Sequence, residues 1–412
     1  MHQLARSLGL AAVAVACGGG LSPNQQGNLS AKTLGPMPFE LASRSAPDAD
    51  LRDSCGDGAV SATGKSTLKR LPFLQQVTDK SAVIVFQTAK RRTVGVDVDG
   101  ADGTPVTHVT SQADPSVADG TQQLVRLTGL EPAHTYCYAV GDLTAAAGFR
   151  TAPAPSSDAP VRFVAFGDSG SDDSDQLSLL GQLATVPLDF IAHTGDLAYE
   201  NGTAAQLTHS VFDVYAPLLR SFALFPASGN HDNETDDGAP FFRAFVLPEN
   251  GAPMLPERWY SFDWGNAHFV ALDTERTGPA QAAWLDDDLM RNHLPWTVVF
   301  AHKPPYSSGE HGSDEAFRHY FVPLLEKYQV ALVLNGHDHD YERSKVLNGV
   351  TYVVTGGGGI GTRPVGKSSF TAFSEAVIHF VFVEITGNRL DLHAIDGTGQ
   401  EFDQTRIERS AG

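Results

Sequence analysis

Cysteine is scarce, with 3 in 412 residues, at Cys17, Cys55 and Cys137. If Cys17 is removed or modified, only Cys55 and Cys137 remain. In an oxidising compartment they can pair; equally, Cys137 lies in a strand pattern and can be a buried free thiol. Cations are also few: 29 Lys and Arg stand against 48 Asp and Glu, a net charge of −19. That excludes the basic footprint of a nucleic-acid or anionic-membrane binder. An anionic substrate would need bound metal ions to supply a local positive field. Beyond the N-terminus no stretch is long and apolar enough to cross a membrane. What is present is ordinary globular hydrophobicity, 42%, with 40 Gly and 24 Pro and a low charged fraction of 19%. This suits a loop-rich protein outside the cell, long enough for two domains or more.

Arg6 gives a short basic region and Leu8 to Ala16 an apolar one, too short for a spanning helix, which needs roughly 20 residues. It ends Ala14-Val15-Ala16-Cys17 and resembles a bacterial lipoprotein box, in which Cys17 becomes the lipidated N-terminus. Ala14 departs from the larger aliphatic residue usual there. Residues 1–17 are thus predicted to be a signal peptide, either of the lipoprotein kind with a lipid anchor at Cys17 or an ordinary one cut nearby. The expected location is secreted, periplasmic or cell-surface. Residues 18–67, rich in Gly, Ser, Pro, Asn and Asp, show no period and read as a tether or irregular lead-in. Gly64-Lys65-Ser66-Thr67 mimics the end of a phosphate-binding loop, but the glycine required earlier is Ala59 and no buried strand precedes it.

Residues 68–152 read as all-β. Val83 to Thr88, Val94 to Val98, Gln123 to Leu127 and Tyr136 to Val140 are short strand patterns split by turn residues. Leu130-Glu131-Pro132-Ala133-His134-Thr135-Tyr136 resembles the signature of fibronectin type III domains, with the tyrosine capping a corner between strands and His134 where a threonine is usual. Thr151 to Pro160, rich in Pro and Ser, marks a boundary.

From 161 to 412 strands alternate with helical patterns. Asp172 to Val186 reads as a helix with Leu177, Leu180 and Leu183 on one face, and Thr203 to Leu219 and Pro279 to His293 read likewise. Trp259 to Trp264 and Ala267 to Leu272 read as a hairpin turned at Gly265-Asn266. Tyr352 to Val354, Ile378 to Ile385 and Leu390 to Ile395 are further strands. Gly356 to Gly361 spells a dinucleotide fingerprint, yet Pro364 and the polar run behind it argue against the helix it requires. A turn whose glycines allow close backbone approach to the site is the better reading. The expected architecture is an N-terminal all-β sandwich followed by an α/β four-layer sandwich, α/β/β/α.

The chemistry concentrates where strand-like runs end. Asp168 follows Val161 to Ala165, and Asp196 with Tyr199 follows Leu188 to Ala192. Asn230-His231-Asp232 follows Ala223 to Phe225, His302 follows Thr297 to Ala301, and His337-Asp338-His339 follows Val330 to Leu334. Open α/β sheets bind ligands at the carboxyl ends of their strands. A mixed oxygen and nitrogen donor set of this size suits two borderline cations. Taken singly, each such residue reads equally as a turn, cap or packing group. His193, His268 and His319 read as core or surface groups, and Tyr341 to Arg343 as ion-pair packing beneath the site.

The ordered set Gly167-Asp168-Ser169-Gly170, Gly195-Asp196-Leu197-Ala198-Tyr199, Gly229-Asn230-His231-Asp232, Val299 to His302 and Gly336-His337-Asp338-His339 resembles the purple acid phosphatases, a branch of the binuclear metallophosphoesterases. Tyr341-Glu342-Arg343 continues the likeness, which covers Leu68 to the C-terminus. The resemblance implies that Asp168, Asp196, Tyr199 and His339 hold Fe(III), and that Asp196, Asn230, His302 and His337 hold a second ion, Fe, Zn or Mn, with Asp196 as bridge. It implies an acid phosphatase that hydrolyses phosphomonoesters by attack of a metal-bound hydroxide. The alternative is a metallophosphodiesterase or nucleotide hydrolase with a non-purple centre. His231 and His311 are the catalytic candidates, with Asn230, His231 and His311 contacting substrate. Relatives often show a second histidine where this chain has Gly312, and Glu315 is a substitute to weigh. Large relatives often dimerise, so a homodimer is open, although no stretch specifies it.

Overall fold

The computed structural model describes residues 46–171 and 173–409. The predicted signal peptide, Cys17 and the tether as far as residue 45 lie outside the described residues. From residue 46 the lead-in differs from the irregular segment expected: it forms helices Ala49–Cys55 and Ala62–Thr67. A Cβ at Gly64 would stand 2.1 Å from the Leu143 carbonyl oxygen, so close helix packing accounts for this glycine. Cys55 and Cys137 form a disulfide that ties the lead-in to strand Thr135–Val140. Among the described residues no helix is long and apolar enough to cross a membrane.

Two four-stranded sheets follow. One has the order Leu68–Gln75, Ser81–Thr88, Gln122–Thr128, Gln112–Ala113; the other Pro105–Thr110, Gly95–Gly100, Thr135–Val140, Ala147–Arg150. All pairings are antiparallel. Strand Gly95–Gly100 shows why: Val96 and Val98 are buried while Asp97 between them is exposed, the period of two of a half-buried strand. The Tyr136 hydroxyl accepts the Glu131 backbone N–H at 2.8 Å, fastening the corner before its strand. This unit is joined to the rest through Gln75, whose amide donates to the Leu224 carbonyl (2.6 Å) and accepts from the Val246 N–H (3.0 Å).

The remainder is built on two mixed sheets. In the six-stranded sheet Ala223–Pro226, Phe190–His193 and Val161–Phe166 run parallel, followed by antiparallel His379–Thr386, Arg389–Asp396 and Glu401–Glu408. In the seven-stranded sheet Ala267–Leu272, Trp296–Ala301, Leu332–Asn335 and Thr351–Thr355 run parallel. Tyr260–Trp264 closes one edge as a hairpin with Ala267–Leu272, and Tyr341–Ser344 and Thr371–Glu375 close the other. Phe163 and Phe190 of one sheet meet Phe269 of the other edge-to-face at 5.2 and 5.0 Å, so an aromatic core fills the space between the sheets. Helix Pro279–Arg291 and Phe317, Phe321 and Leu325 cover the outer face of the larger sheet. Helix Ser174–Leu183 packs on the smaller one. The parallel strands are buried almost throughout, Arg162 apart, because both faces are covered.

Two further expectations are corrected. In helix Ser174–Leu183 the buried face is Gln176, Leu179 and Leu183, while Leu177 is 51% exposed. A spacing of strictly three drifts off the face of a helix with 3.6 residues per turn; the observed spacing of three then four holds it. The run Thr203 to Leu219 is not one helix. It breaks into Ala204–Leu207, a wider turn over Thr208–Asp213, and Ala216–Leu219, which Pro217 in its first turn forces to restart.

Candidate metal centre

The carboxyl ends of the parallel strands of both sheets meet at one place, and each ends in an abrupt turn. Asp168, Asp196 and His337 all adopt positive φ, at 58, 56 and 72°. Such backbone costs of order 1–3 kcal/mol per residue and persists only where surrounding contacts fix it. Here they do: the His337 N–H donates to Asp168 Oδ2 (2.8 Å) and the His231 N–H to Asp196 Oδ1 (2.9 Å). Buried Asp232 accepts the N–H groups of Gly229 (2.9 Å) and Leu197 (3.0 Å), locking two of these turns together. The glycines before the functional residues leave room. A Cβ at Gly336 would lie 2.4 Å from Asp168 Oδ2, and one at Gly229 would lie 2.1 Å from Asp196 Oδ1.

Side-chain donor atoms converge in two groups. The Tyr199 hydroxyl lies 3.1 Å from Asp168 Oδ1, 3.0 Å from Asp196 Oδ2 and 3.4 Å from His339 Nε2. His302 Nε2 lies 3.2 Å from Asp196 Oδ2, 3.1 Å from Asn230 Oδ1 and 3.2 Å from His337 Nδ1. The two groups share Asp196 Oδ2, whereas Oδ1 is taken by the backbone. Ligand atoms about 2.0–2.2 Å from a common cation, at right angles to one another, lie about 3 Å apart. The donors in each group are therefore spaced as ligands of a metal ion are, and Asp196 Oδ2 belongs to both groups. His302 Nδ1 sits 3.0 Å from the Thr194 carbonyl, which sets the tautomer that turns the Nε2 lone pair inward.

Electrostatics agree with a centre built for positive charge. Burial pushes the Asp168 carboxyl well above its ordinary range, and it pushes the Tyr199 phenol far up, with Asp168 and Asp196 adding to the shift. Burial would also raise Asp196, but His302 outweighs it and holds that carboxyl low. Burial lowers His337 to about 2 and His339 to about 3, leaving both imidazoles neutral, as ligands must be. His302 is lifted to about 10, because Asp196 overcomes its burial. A cation bound here would oppose the upward shifts of Asp168 and Tyr199 and reinforce the downward shift of Asp196.

His231 stands over Tyr199, ring centroids 4.3 Å apart, with Nδ1 2.6 Å from the Glu200 carbonyl, so that Nδ1 is the donor there and Nε2 is left over. His311 stacks on His337 at 4.3 Å and 26°, and its Nε2 meets the Arg363 guanidinium. The seven candidate ligands with His231 and His311 are thus within reach of one site. Glu315 is an exception: it is 79% exposed and paired with Arg318. Of the three histidines set aside, His193 is buried beneath the site on Ser169 (2.8 Å), and burial lowers it to about 3. His268 is clamped between Asp263 and Asp288. Tyr341 and Arg343 both bond Asp403. The glycine run lies against the centre, with the Ile360 N–H on the Asp168 carbonyl at 3.0 Å. The Thr194 carbonyl and Arg363 were not foreseen: one is backbone, and the other is a lone arginine in a patternless loop.

The model of the calcineurin-like phosphoesterase family matches residues 161–341. Purple acid phosphatase 23 of Arabidopsis thaliana is 30% identical over 284 residues, which cover 57% of this chain and 62% of that protein. A Hordeum vulgare protein named nucleotide pyrophosphatase/phosphodiesterase is 28% identical over 267 residues, covering 51% of this chain and 72% of that one. The solved structure of the purple acid phosphatase PPD1 from yellow lupin seeds shares the fold, with a TM-score of 0.69 at 22% identity over 82% of this chain and 74% of that one. The chain spans about half the length of the first curated relatives it matches, 50% to 54%. Residues 161–341 thus match the calcineurin-like phosphoesterase domain, and within them Asp196, His302 and His337 lie close enough together to hold a metal ion. Over part of its length the chain is similar to the purple acid phosphatases.

Proposed function

We propose that this protein is a secreted acid phosphatase that hydrolyses phosphomonoesters at a centre of Fe(III) and a second ion, Fe, Zn or Mn. Asp168, Asp196, Tyr199 and His339 hold the first, and Asp196, Asn230, His302 and His337 the second. The observation that carries this is Asp196 Oδ2 shared between the Tyr199 hydroxyl at 3.0 Å and His302 Nε2 at 3.2 Å. Two such ions, when bound, activate water and neutralise charge on the attacking and leaving oxygens. The chain's own part is to orient and to shield. Thr194 and Asp232 fix the donors, His231 Nε2 addresses the phosphoryl oxygens, and His311 lies on the leaving-group side. The N-terminal sheets are read as a fibronectin type III-like spacer covering 68–152, supported by the Tyr136 corner. The Hordeum relative's name supports a second reading, a diesterase or nucleotide hydrolase.

The test is hydrolysis of p-nitrophenyl phosphate against its bis ester, before and after chelation. The expected result is monoester hydrolysis lost on chelation and restored by iron with zinc or manganese. Diester hydrolysis without monoester hydrolysis would overturn the first reading in favour of the second.

A further inference from the structure

We propose that Asp338, the residue between the candidate ligands His337 and His339, is the positioning residue for His311, and that it acts by anchoring the loop of residues 307–311 beside the metal centre. This rests on the phosphoesterase reading above, in which His311 lies on the leaving-group side.

The Asp338 carboxylate serves the loop with both oxygens. Oδ1 accepts the His311 backbone N–H at 2.7 Å, and Oδ2 accepts the Ser307 hydroxyl. Ser307 Oγ in turn takes the Gly309 N–H at 3.0 Å. One side chain, 0% exposed, therefore fixes three of the five residues of the loop. Asp338 is itself held on both sides. Its N–H donates to the Gly336 carbonyl (2.9 Å), and its carbonyl accepts the Asp340 N–H (2.8 Å). Removing a buried acceptor costs more than the bond contributes, because the donors are left without a partner.

The loop is shaped to lie on these acids. A Cβ at Gly309 would stand 2.5 Å from Asp338 Cγ and 2.6 Å from Asp340 Oδ2, so a residue without a side chain is needed there. Further along, Glu342 takes the Ser308 N–H and, at 2.8 Å, its hydroxyl. Asp338, Asp340 and Glu342 thus alternate along the chain and face the loop, while His337 and His339 between them face the centre.

His311 has a second hold, at its ring. Arg363 bonds Nε2 and is ion-paired with Glu310 at 3.9 Å, where Glu310 is 62% exposed. An ion pair open to solvent restrains little. The buried bond to Asp338 fixes the backbone from which the ring projects, and with it the stack on His337 at 4.3 Å and 26°. His337 lies under the ring and its chain neighbour Asp338 under the backbone. The leaving-group histidine and a ligand of the second ion are therefore set by one turn of chain.

The experiment measures kcat and KM for p-nitrophenyl phosphate, metal content, melting temperature and backbone amide exchange at His311. The proteins are wild type, Asp338→Ala, Asp338→Asn and Gly309→Ala. Asp338→Ala is expected to keep its metals, to lose protection at the His311 amide, and to lose kcat about 10- to 100-fold with KM changed less than about threefold. Asp338→Asn keeps an oxygen that accepts the His311 N–H, so protection returns and kcat recovers to within about fivefold of wild type. Gly309→Ala lifts the loop off the acids and reproduces the Asp338→Ala result; it carries the comparison if Asp338→Ala does not fold. A lower melting temperature with kcat within about twofold of wild type would overturn the proposal, since a merely structural role gives that pattern. Loss of metal in proportion to activity, or an Asp338→Asn variant no better than Asp338→Ala, would overturn it too. If the wild type hydrolyses no phosphate ester, the phosphoesterase reading fails instead, and exchange alone decides the anchor. Protection lost in Asp338→Ala only within residues 307–311 upholds it, and unchanged protection at His311 overturns it.

Discussion

Gly229→Ala is the sharpest steric probe of the shared carboxylate. Gly229 has φ −103°, which any residue adopts, so backbone strain plays no part. The added Cβ would stand 2.1 Å from Asp196 Oδ1, 2.5 Å from its backbone N and 2.8 Å from its Cγ, where ordinary contact begins at 3.4 Å. Two of these neighbours are backbone or rigidly held, so the Asp196 carboxylate must move by more than about 1 Å. Oδ2 is the atom both donor groups share, and a misplacement of that size costs about 100-fold in rate. Overpacking should also cost about 1–3 kcal/mol of stability. The assay is metal content per chain and kcat/KM, with Gly181→Ala as control. A Cβ at Gly181 meets nothing within 4 Å, and alanine within helix Ser174–Leu183 should leave activity intact and stability equal or slightly higher. Gly229→Ala protein that binds two metals and keeps activity within about twofold would refute the reasoning.

His268 makes stability depend on pH well away from the site. Burial works against its charge, yet Asp263 at 2.6 Å and Asp288 at 2.9 Å raise it to about 9, from an ordinary 6.5. Stability from this raised pKa is fully present below pH 6.5 and lost as pH rises through about 9, to at most roughly 3 kcal/mol. The difference in melting temperature between wild type and His268→Gln should therefore shrink between pH 6 and 9.5; a constant difference would count against the ion triad. Reducing the Cys55–Cys137 bridge, or Cys137→Ser, opens a loop of 82 residues and should cost roughly 4–5 kcal/mol by chain entropy, seen as a lower urea midpoint.

Most parallel strands were legible because each is a short, mainly apolar run, and those ending near Gly167, Gly195, Gly229, Gly336 and Gly356 stop at a glycine turn. The same feature exposed the donors, since a carboxylate or imidazole stands out directly after such a run. Edge strands were harder. Pro105–Thr110 is exposed almost throughout, and Glu401–Glu408 is half-buried, so neither shows an apolar period. The break in 203–219 is set by tertiary packing and Pro217, against good local helix propensity. The Thr194 carbonyl that orients His302 carries no side-chain signal at all. Arg363 reaches the site only because its loop folds back on His339, a long-range fact that neither periodicity nor spacing encodes.

The most direct test of the central claim is the visible absorption spectrum of the purified protein, with metal analysis on the same sample, for wild type and Tyr199→Phe. The Tyr199 hydroxyl stands between Asp168 and Asp196 at 3.1 and 3.0 Å, where a trivalent ion would ionise it. The expected result is two metals per chain including iron, with a visible band that is lost in Tyr199→Phe. A colourless wild type carrying two zinc or manganese ions, or a band unchanged by Tyr199→Phe, would contradict the Fe(III)-phenolate centre.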